Sequence, residues 1–305
     1  MLSKNALVTA LVIVITLRLQ AQGLNDTSPH TVHFVKVDKE VKLEVLDWGG
    51  KGRPLIFLAG MGSNAHVFDS FAPKFTAGHH VYGITRRGFG DSSKPAATVA
   101  NYSADRLGDD VLAVIDALKM DRPVLVGHSL AGEELSSIGS RHPQKVAGLV
   151  YLDAGFSYAY YDHIRGDVWL DMIDLRHQID ELETGTTSDR KQLWKDMLAN
   201  VSRLQKAMQE ITKQMASSPS IPNPPAVISA IQFGQQKYTE IHVPALAIFA
   251  IHDSTDNAAM ERADAFEAGI PSARVVRLQN ATHFVFNSNE SDVLREMNAF
   301  LVKLH

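Results

Sequence analysis

Ser129 stands in the segment Gly127-His-Ser-Leu-Ala-Gly132, directly after the apolar run Val124–Val126 and at the opening of a helical period. A serine hydroxyl attacks a carbonyl only when a base removes its proton and a third group orients that base. A sharp strand-to-helix turn exposes such a serine and tolerates only small neighbours, here Gly127 and Ala131. The base is expected late in the chain, and His283 lies between the apolar run Arg274–Leu278 and the closing helical period. The acid is expected after the preceding strand. Ala245–Ile251 runs into His252-Asp253, so Asp253 is the expected acid, giving the chain order Ser, Asp, His. Asp256 competes but suits the start of a helix over 257–267. Asp153, at the end of an earlier strand, is an alternative acid that reads as structural.

Attack on a carbonyl builds negative charge on its oxygen, which two pre-aligned N–H groups stabilise. One belongs to the residue after the nucleophile, Leu130, whose helix also favours an anion at its start. The second is expected from the loop after Leu55–Leu58, where Gly60 and Gly62 flank Met61. That loop lacks the Gly-Lys-Ser/Thr ending of a phosphate-binding loop. His66 and Phe68, just beyond it, are expected to line an acyl pocket. His128 is expected to point into the core, Arg86 and Arg87 to support the Gly88–Gly90 turn and pair with Asp91. Glu133 and Glu134 are expected to complement the dipole of the helix behind Ser129. No His-Glu-x-x-His motif and no carboxylate cluster occurs, so no metal and no cofactor is expected.

These residues need elements to hold them. Val32–Val37 and Val41–Trp48 alternate apolar and polar side chains, the period of a half-buried hairpin. Pro54–Gly60, closed by its glycine, Val81–Thr85, Val124–Gly127, Val146–Leu152, Ala245–Ile251 and Arg274–Leu278 are continuous apolar runs, expected of strands buried on both faces. Helical periods lie between them, and such alternation predicts an α/β fold with a mostly parallel sheet covered on both sides. The stretch 155–242 breaks the pattern with helical stripes and a proline-rich end, and reads as a helical cap inserted in a core formed by 24–154 and 243–305. Met172, Met197, Met208, Met215, Trp169 and Trp194 concentrate there. They are expected to roof the pocket for an apolar group, the alternative being packing between cap helices.

The motifs Leu58-Ala-Gly-Met-Gly62, Arg87-Gly-Phe-Gly-Asp-Ser-Ser93, Gly127–Gly132, Leu152-Asp-Ala154, Pro244–Asp253 and Thr282-His283 resemble the α/β-hydrolase superfamily. The resemblance runs from about residue 32 to the C-terminus and is weakest across the cap. It implies an eight-stranded core with a lid after strand six, and hydrolysis through an acyl-enzyme carried by Ser129, Asp253 and His283. Serine at the elbow departs from the haloalkane dehalogenase and epoxide hydrolase branches, whose nucleophile is aspartate.

Of 305 residues, 45% are hydrophobic and 21% charged, which excludes a collagen-like or wholly disordered chain. The formal charge of −4, with no block of five like charges, argues against nucleic acid as the main partner. The absence of cysteine removes disulfides, thiolate metal sites and a cysteine nucleophile. Lys4 precedes the apolar stretch Ala6–Leu17, about 18 Å as a helix and too short to span a membrane. With small residues at Ala21 and Gly23 it reads as an export signal over 1–23, giving a periplasmic or secreted protein without a stable membrane span. An uncleaved anchor and a misread start are the alternatives. The expected activity is hydrolysis of a small or medium carboxylic ester with an apolar portion. A lactonase, an amidase or peptidase, a C–C hydrolase and a non-catalytic binding member of the fold are the alternatives.

Overall fold

The computed structural model describes residues 29–215 and 223–304, and of 210–215 only the backbone. The expected export segment 1–23, and the side chain of Met215, lie outside the described residues. Eight strands follow in chain order: β1 (Thr31–Lys36), β2 (Lys42–Gly50), β3 (Pro54–Leu58), β4 (His80–Ile84), β5 (Val124–His128), β6 (Gly148–Leu152), β7 (Ala245–Ile251) and β8 (Ala273–Gln279). They form one sheet in the order β1-β2-β4-β3-β5-β6-β7-β8. β1 and β2 pair antiparallel, and β2 pairs antiparallel with β4; all other neighbours are parallel. β5, β6 and β7 are buried along their whole length, which their unbroken apolar runs require. Only β1, at an edge, keeps exposed side chains along most of its length.

Seven helices of eight residues or more accompany the sheet: α1 (Ala104–Ala117), α2 (Gly132–Arg141), α3 (Val168–Thr184), α4 (Arg190–Met215), α5 (Ala226–Phe233), α6 (Asn257–Gly269) and α7 (Glu290–Leu301). One sheet face is filled by a cluster that includes Val111, Leu135, Ile138 and Phe266 from α1, α2 and α6. The other holds Phe57, Phe68, Phe71, Phe286 and Phe300. Each such side chain contributes about 1.5–3 kcal/mol on burial, so the two layers lock the strand ends in place. The chain passes from β3 to β4 on one side and then to β5 on the other. That reversal of strand order opens a crevice at the carboxyl ends of β3 and β5, where α/β sheets bind ligands.

Helices α3, α4 and α5 occupy the connection from β6 to β7. Asp167 caps α3 by accepting from the Leu170 N–H, and Gly185 ends it in the left-handed conformation. Asn200 on α4 donates to Asp174 and Gln178 on α3, and Lys237 reaches Asp171 and Asp174 from the chain returning to β7. The inner positions of α4 are therefore Leu193, Asn200 and Leu204, all buried. Trp194 lies about 100° around from Leu193 and is exposed, as are Leu198 and Val201. Met172 and Met208 are exposed too. The expectation that these methionines and tryptophans roof the pocket is corrected at Met172, Trp194 and Met208. Trp169 does turn inward within the cap, donating to the Gln232 carbonyl and packing on Phe233.

The pairing of Arg86 and Arg87 with Asp91 is also corrected. Arg87 is fully buried and donates bidentately to Asp110 on α1, with both bonds at 2.6 Å. Arg86 does the same to Glu134 on α2, at 2.8 and 2.6 Å. Asp91 is exposed, and a buried guanidinium needs a carboxylate buried with it. Arg87→Gln leaves Asp110 buried without its counter-charge. We expect a loss of about 3–5 kcal/mol in urea denaturation. Lys145→Gln, which removes the exposed pair with Asp116, should stay within about 0.5 kcal/mol of the parent.

Candidate active site

The carboxyl end of β5 presents Ser129. Its φ of 53° is left-handed, a conformation costly for a residue with a Cβ and typical of a nucleophile at a tight turn. The turn closes only because its neighbours are small. A Cβ on Gly132 would lie 2.0 Å from the Ala154 carbonyl oxygen, and one on Gly60 would lie 3.0 Å from the Ser129 Cβ. The Gly60–Gly62 loop thus packs directly on the serine turn. Of the two expected oxyanion donors, Leu130 follows Ser129 in the short 3-10 turn before α2, and Met61 sits at the tip of that loop. The Met61 N–H donates to no described backbone carbonyl. Ser129 itself is 7% exposed, so little bulk water reaches it.

His283 follows β8, as its place in the sequence requires, but its partner is not the expected acid. His283 Nδ1 donates to Asp153 Oδ2 at 2.7 Å, and Asp153 Oδ1 accepts the Ala250 N–H at 3.0 Å. Asp153 ends β6, with φ at 44° and the residue buried. Asp253 is corrected: it is exposed and accepts from the Thr255 N–H at 2.7 Å and the Thr255 hydroxyl at 2.6 Å. Those bonds hold its carboxyl below the usual carboxylate range. Asp256 caps α6 through the Ala259 N–H. With Nδ1–H fixed on Asp153, the His283 ring keeps its Nε2 lone pair as a base.

His128, expected in the core and found there, and two aromatic residues missed in the sequence complete the setting. His128 is buried and its Nε2 donates to the His283 carbonyl at 3.0 Å. Burial, then the neighbouring His283, push its pKa well below the usual histidine value, so it holds the loop as a neutral ring. Phe156 sets its edge against His283 with centroids 6.0 Å apart and stacks on Tyr158 at 5.3 Å. The Tyr158 phenol lies against the Ser129 hydroxyl. Burial, followed by the negative charges of Glu133 and Asp153, raises its pKa well above the ordinary tyrosine value, so it stays protonated. Both aromatic residues stand in the first turn beyond β6, too irregular a segment to carry a periodic signal.

Glu133 and Glu134 stand in the first turn of α2, as expected, but not in solvent. Both are buried; Glu134 pairs with Arg86, which also donates to the Ala59 carbonyl at 3.0 Å. Among the described residues, neither carboxyl oxygen of Glu133 has a hydrogen-bond partner. Burial, reinforced by Glu134, pushes its pKa well above the ordinary glutamate value. The expected pocket lining is corrected as well. Phe68 is fully buried between Phe57 and Phe286, at 5.1 and 4.9 Å. His66 is half-buried and engaged by Asp69 at 3.0 Å and Glu44 at 3.6 Å. Among the described residues no group of three or more histidine, aspartate or glutamate side chains is arranged to hold a metal. Nor is any described helix long and apolar enough to cross a membrane.

A family model described as the alpha/beta hydrolase fold matches residues 53–290. An AB hydrolase superfamily protein of Bacillus subtilis is 35% identical over 113 residues, covering 36% of this chain and 40% of that protein. A 2-hydroxymuconate semialdehyde hydrolase of a Pseudomonas species is 32% identical over 113 residues, covering 36% and 39%. The chain thus spans about two fifths of the length of these curated relatives. Among solved structures, Est816, described as an N-acyl homoserine lactone degrading enzyme, superposes with a TM-score of 0.57 at 25% identity. It covers 88% of this chain and all of its own.

Two outcomes follow from the geometry. Asp153→Asn should slow turnover of a nitrophenyl ester by about 10⁴-fold, because the amide favours the wrong imidazole tautomer. Asp253→Asn should change it less than about threefold, since only a Thr255 turn is lost; initial rates of the two purified variants decide. The Glu133 carboxyl binds its proton more tightly folded than unfolded. Its effect on stability is therefore nil below the unfolded value near 4.5 and grows unfavourable as pH climbs toward the raised folded value. Glu133→Gln removes that slope, about 1.4 kcal/mol per pH unit. Urea midpoints of variant and parent should agree near pH 4 and diverge in the variant's favour at pH 8.

Proposed function

The chain belongs to the α/β-hydrolase fold family, and from that premise we propose that it hydrolyses a small or medium carboxylic ester through an acyl-enzyme. The observation that carries this reading is the His283–Asp153 hydrogen bond, formed beside a serine held in a left-handed turn. In the proposed cycle the Ser129 Oγ attacks the ester carbonyl while its proton passes to His283 Nε2. Asp153 stays ionised and steadies the imidazolium. The Leu130 and Met61 N–H groups receive the oxyanion, an arrangement worth about 10²–10³-fold in rate per donor. Collapse of the tetrahedral species expels the alkoxide, which takes the proton from His283 and leaves as the alcohol. Water then attacks the acyl-serine, giving a proton to His283. Breakdown of the second tetrahedral species returns that proton to Ser129 Oγ and releases the acid. No step calls for a cofactor or metal.

Hydrolysis of a lactone, by the same atoms acting on a cyclic ester, is the second reading. The likeness to Est816 across nearly the whole of both chains supports it.

Ser129→Ala should abolish turnover of nitrophenyl esters while circular dichroism and the thermal midpoint stay near those of the parent. A serine-directed phosphonate should label the parent at Ser129 and leave the variant unlabelled. Labelling at another serine, or full activity in the alanine variant, defeats the proposal. A panel of linear esters against γ-lactones decides between the two readings.

A further inference from the structure

The outward side of α4 carries large apolar residues that no described part of the chain covers. Trp194, Leu198 and Val201 are 55%, 69% and 46% exposed and recur at i, i+4 and i+7. At 3.6 residues per turn they occupy a wedge of about 60°. Cations flank that wedge on both sides. Arg190 lies on one edge; Lys191, Lys195 and Lys206 lie on the other, all exposed. None of these four forms an ion pair among the described residues. Of the two acidic residues nearest in sequence, Asp189 accepts from the Gln192 N–H at the start of the helix, and Asp196 projects from the far side, where the Gln192 side chain donates to it at 2.8 Å.

We propose that this face of α4 binds an anionic phospholipid surface, the helix lying in the plane of the interface with Trp194, Leu198 and Val201 at the headgroup–acyl boundary. An apolar stripe bordered by lysine and arginine is the pattern that places a helix there, and tryptophan suits that depth because its ring is apolar with one polar edge. The chain as a whole carries a formal charge of −4, so the positive character is local to this face rather than a property of the molecule. A second copy of the chain is a poorer occupant. A two-fold interface repeats the same patch on both sides and would set these four cations against their own duplicates. Nucleic acid would satisfy the cations but not the apolar stripe. The proposal does not depend on the ester chemistry.

The test is co-sedimentation of the full chain with phosphatidylcholine vesicles, with and without one third phosphatidylglycerol, at 50 mM and 500 mM salt. The expected result is binding to the anionic vesicles at low salt, lost at high salt, with no binding to phosphatidylcholine alone. Lys191→Gln with Lys195→Gln should weaken it about 25-fold, roughly fivefold for each cation. Trp194→Ser with Leu198→Ser should abolish it at an unchanged thermal midpoint, since both side chains are exposed. A blue shift of emission on binding should disappear in Trp194→Phe. The proposal is overturned if the parent ignores anionic vesicles, or if the lysine variant binds as the parent does. It is equally overturned if sedimentation velocity finds a dimer that Leu198→Ser dissolves, which would make the face a contact between copies.

Discussion

The left-handed turn at Ser129 is the constraint on which the site depends. Left to itself, a serine with φ at 53° costs about 1–2 kcal/mol and would relax. It cannot relax because β5 is buried and paired on both sides, by β3 and β6, up to its last residues. The next two residues feed directly into the turn that starts α2, packed against the chain leaving β6 at Gly132. Strain is thus held by two layers of core packing rather than by local bonds. The same turn packs against the loop that begins at Gly60, where an added Cβ would lie 3.0 Å from the Ser129 Cβ.

The carboxylate that His283 bonds stands where the chain leaves the sheet for the helices between β6 and β7. Asp153 leaves β6 with a second positive φ, 44°, and its two carboxylate oxygens are divided between His283 and the Ala250 N–H of β7. A carboxylate so bonded cannot swing, which suits a group whose task is to hold an imidazole in one tautomer. Within five residues the same stretch of chain supplies Phe156 against His283 and Tyr158 against Ser129. Asp153, Phe156, Tyr158 and the entry to the helices between β6 and β7 are therefore one continuous segment.

The turn at Ser129, the place of His283 after β8 and the eight strands were legible in the sequence because each rests on a local signal. An apolar run closing on Gly-x-Ser before a helical period fixes the serine turn, and a histidine between the last strand and the last helix has few other readings. The acid was not legible. Asp153 and Asp253 each end an apolar run, and what separates them is which strand end faces the His283 loop in space. Phe68 was misread for a related reason: its place just after the Gly60–Gly62 loop suggested a pocket, but Phe57 on β3 and Phe286, far from it in sequence, draw it into the core. Periodicity located the α4 stripe without revealing its direction, since inward and outward faces of a helix that carries apolar residues on both look alike. There the buried Asn200, bonded to Asp174 and Gln178, decides the orientation.

Beneath the serine turn the buried charges are balanced by leaving one group uncharged. Arg86 pairs with Glu134 and Arg87 with Asp110, two cations against two anions. Arg86 also grips the Ala59 carbonyl, so the pair ties the oxyanion loop to the first turn of α2. Glu133 would be a third anion, fully buried and with no bond to either oxygen. Its burial favours the protonated form. The consequence reaches the proposed chemistry, because Glu133 lies close enough to Tyr158 to raise that phenol's pKa, and Tyr158 touches Ser129. A carboxylate at that place, in a medium that screens poorly, would oppose the negative charge forming on the oxyanion. Kept neutral, Glu133 leaves the field near Ser129 to the helix start and the two N–H groups, so the desolvation that makes the residue unfavourable for stability is also what keeps it from working against attack.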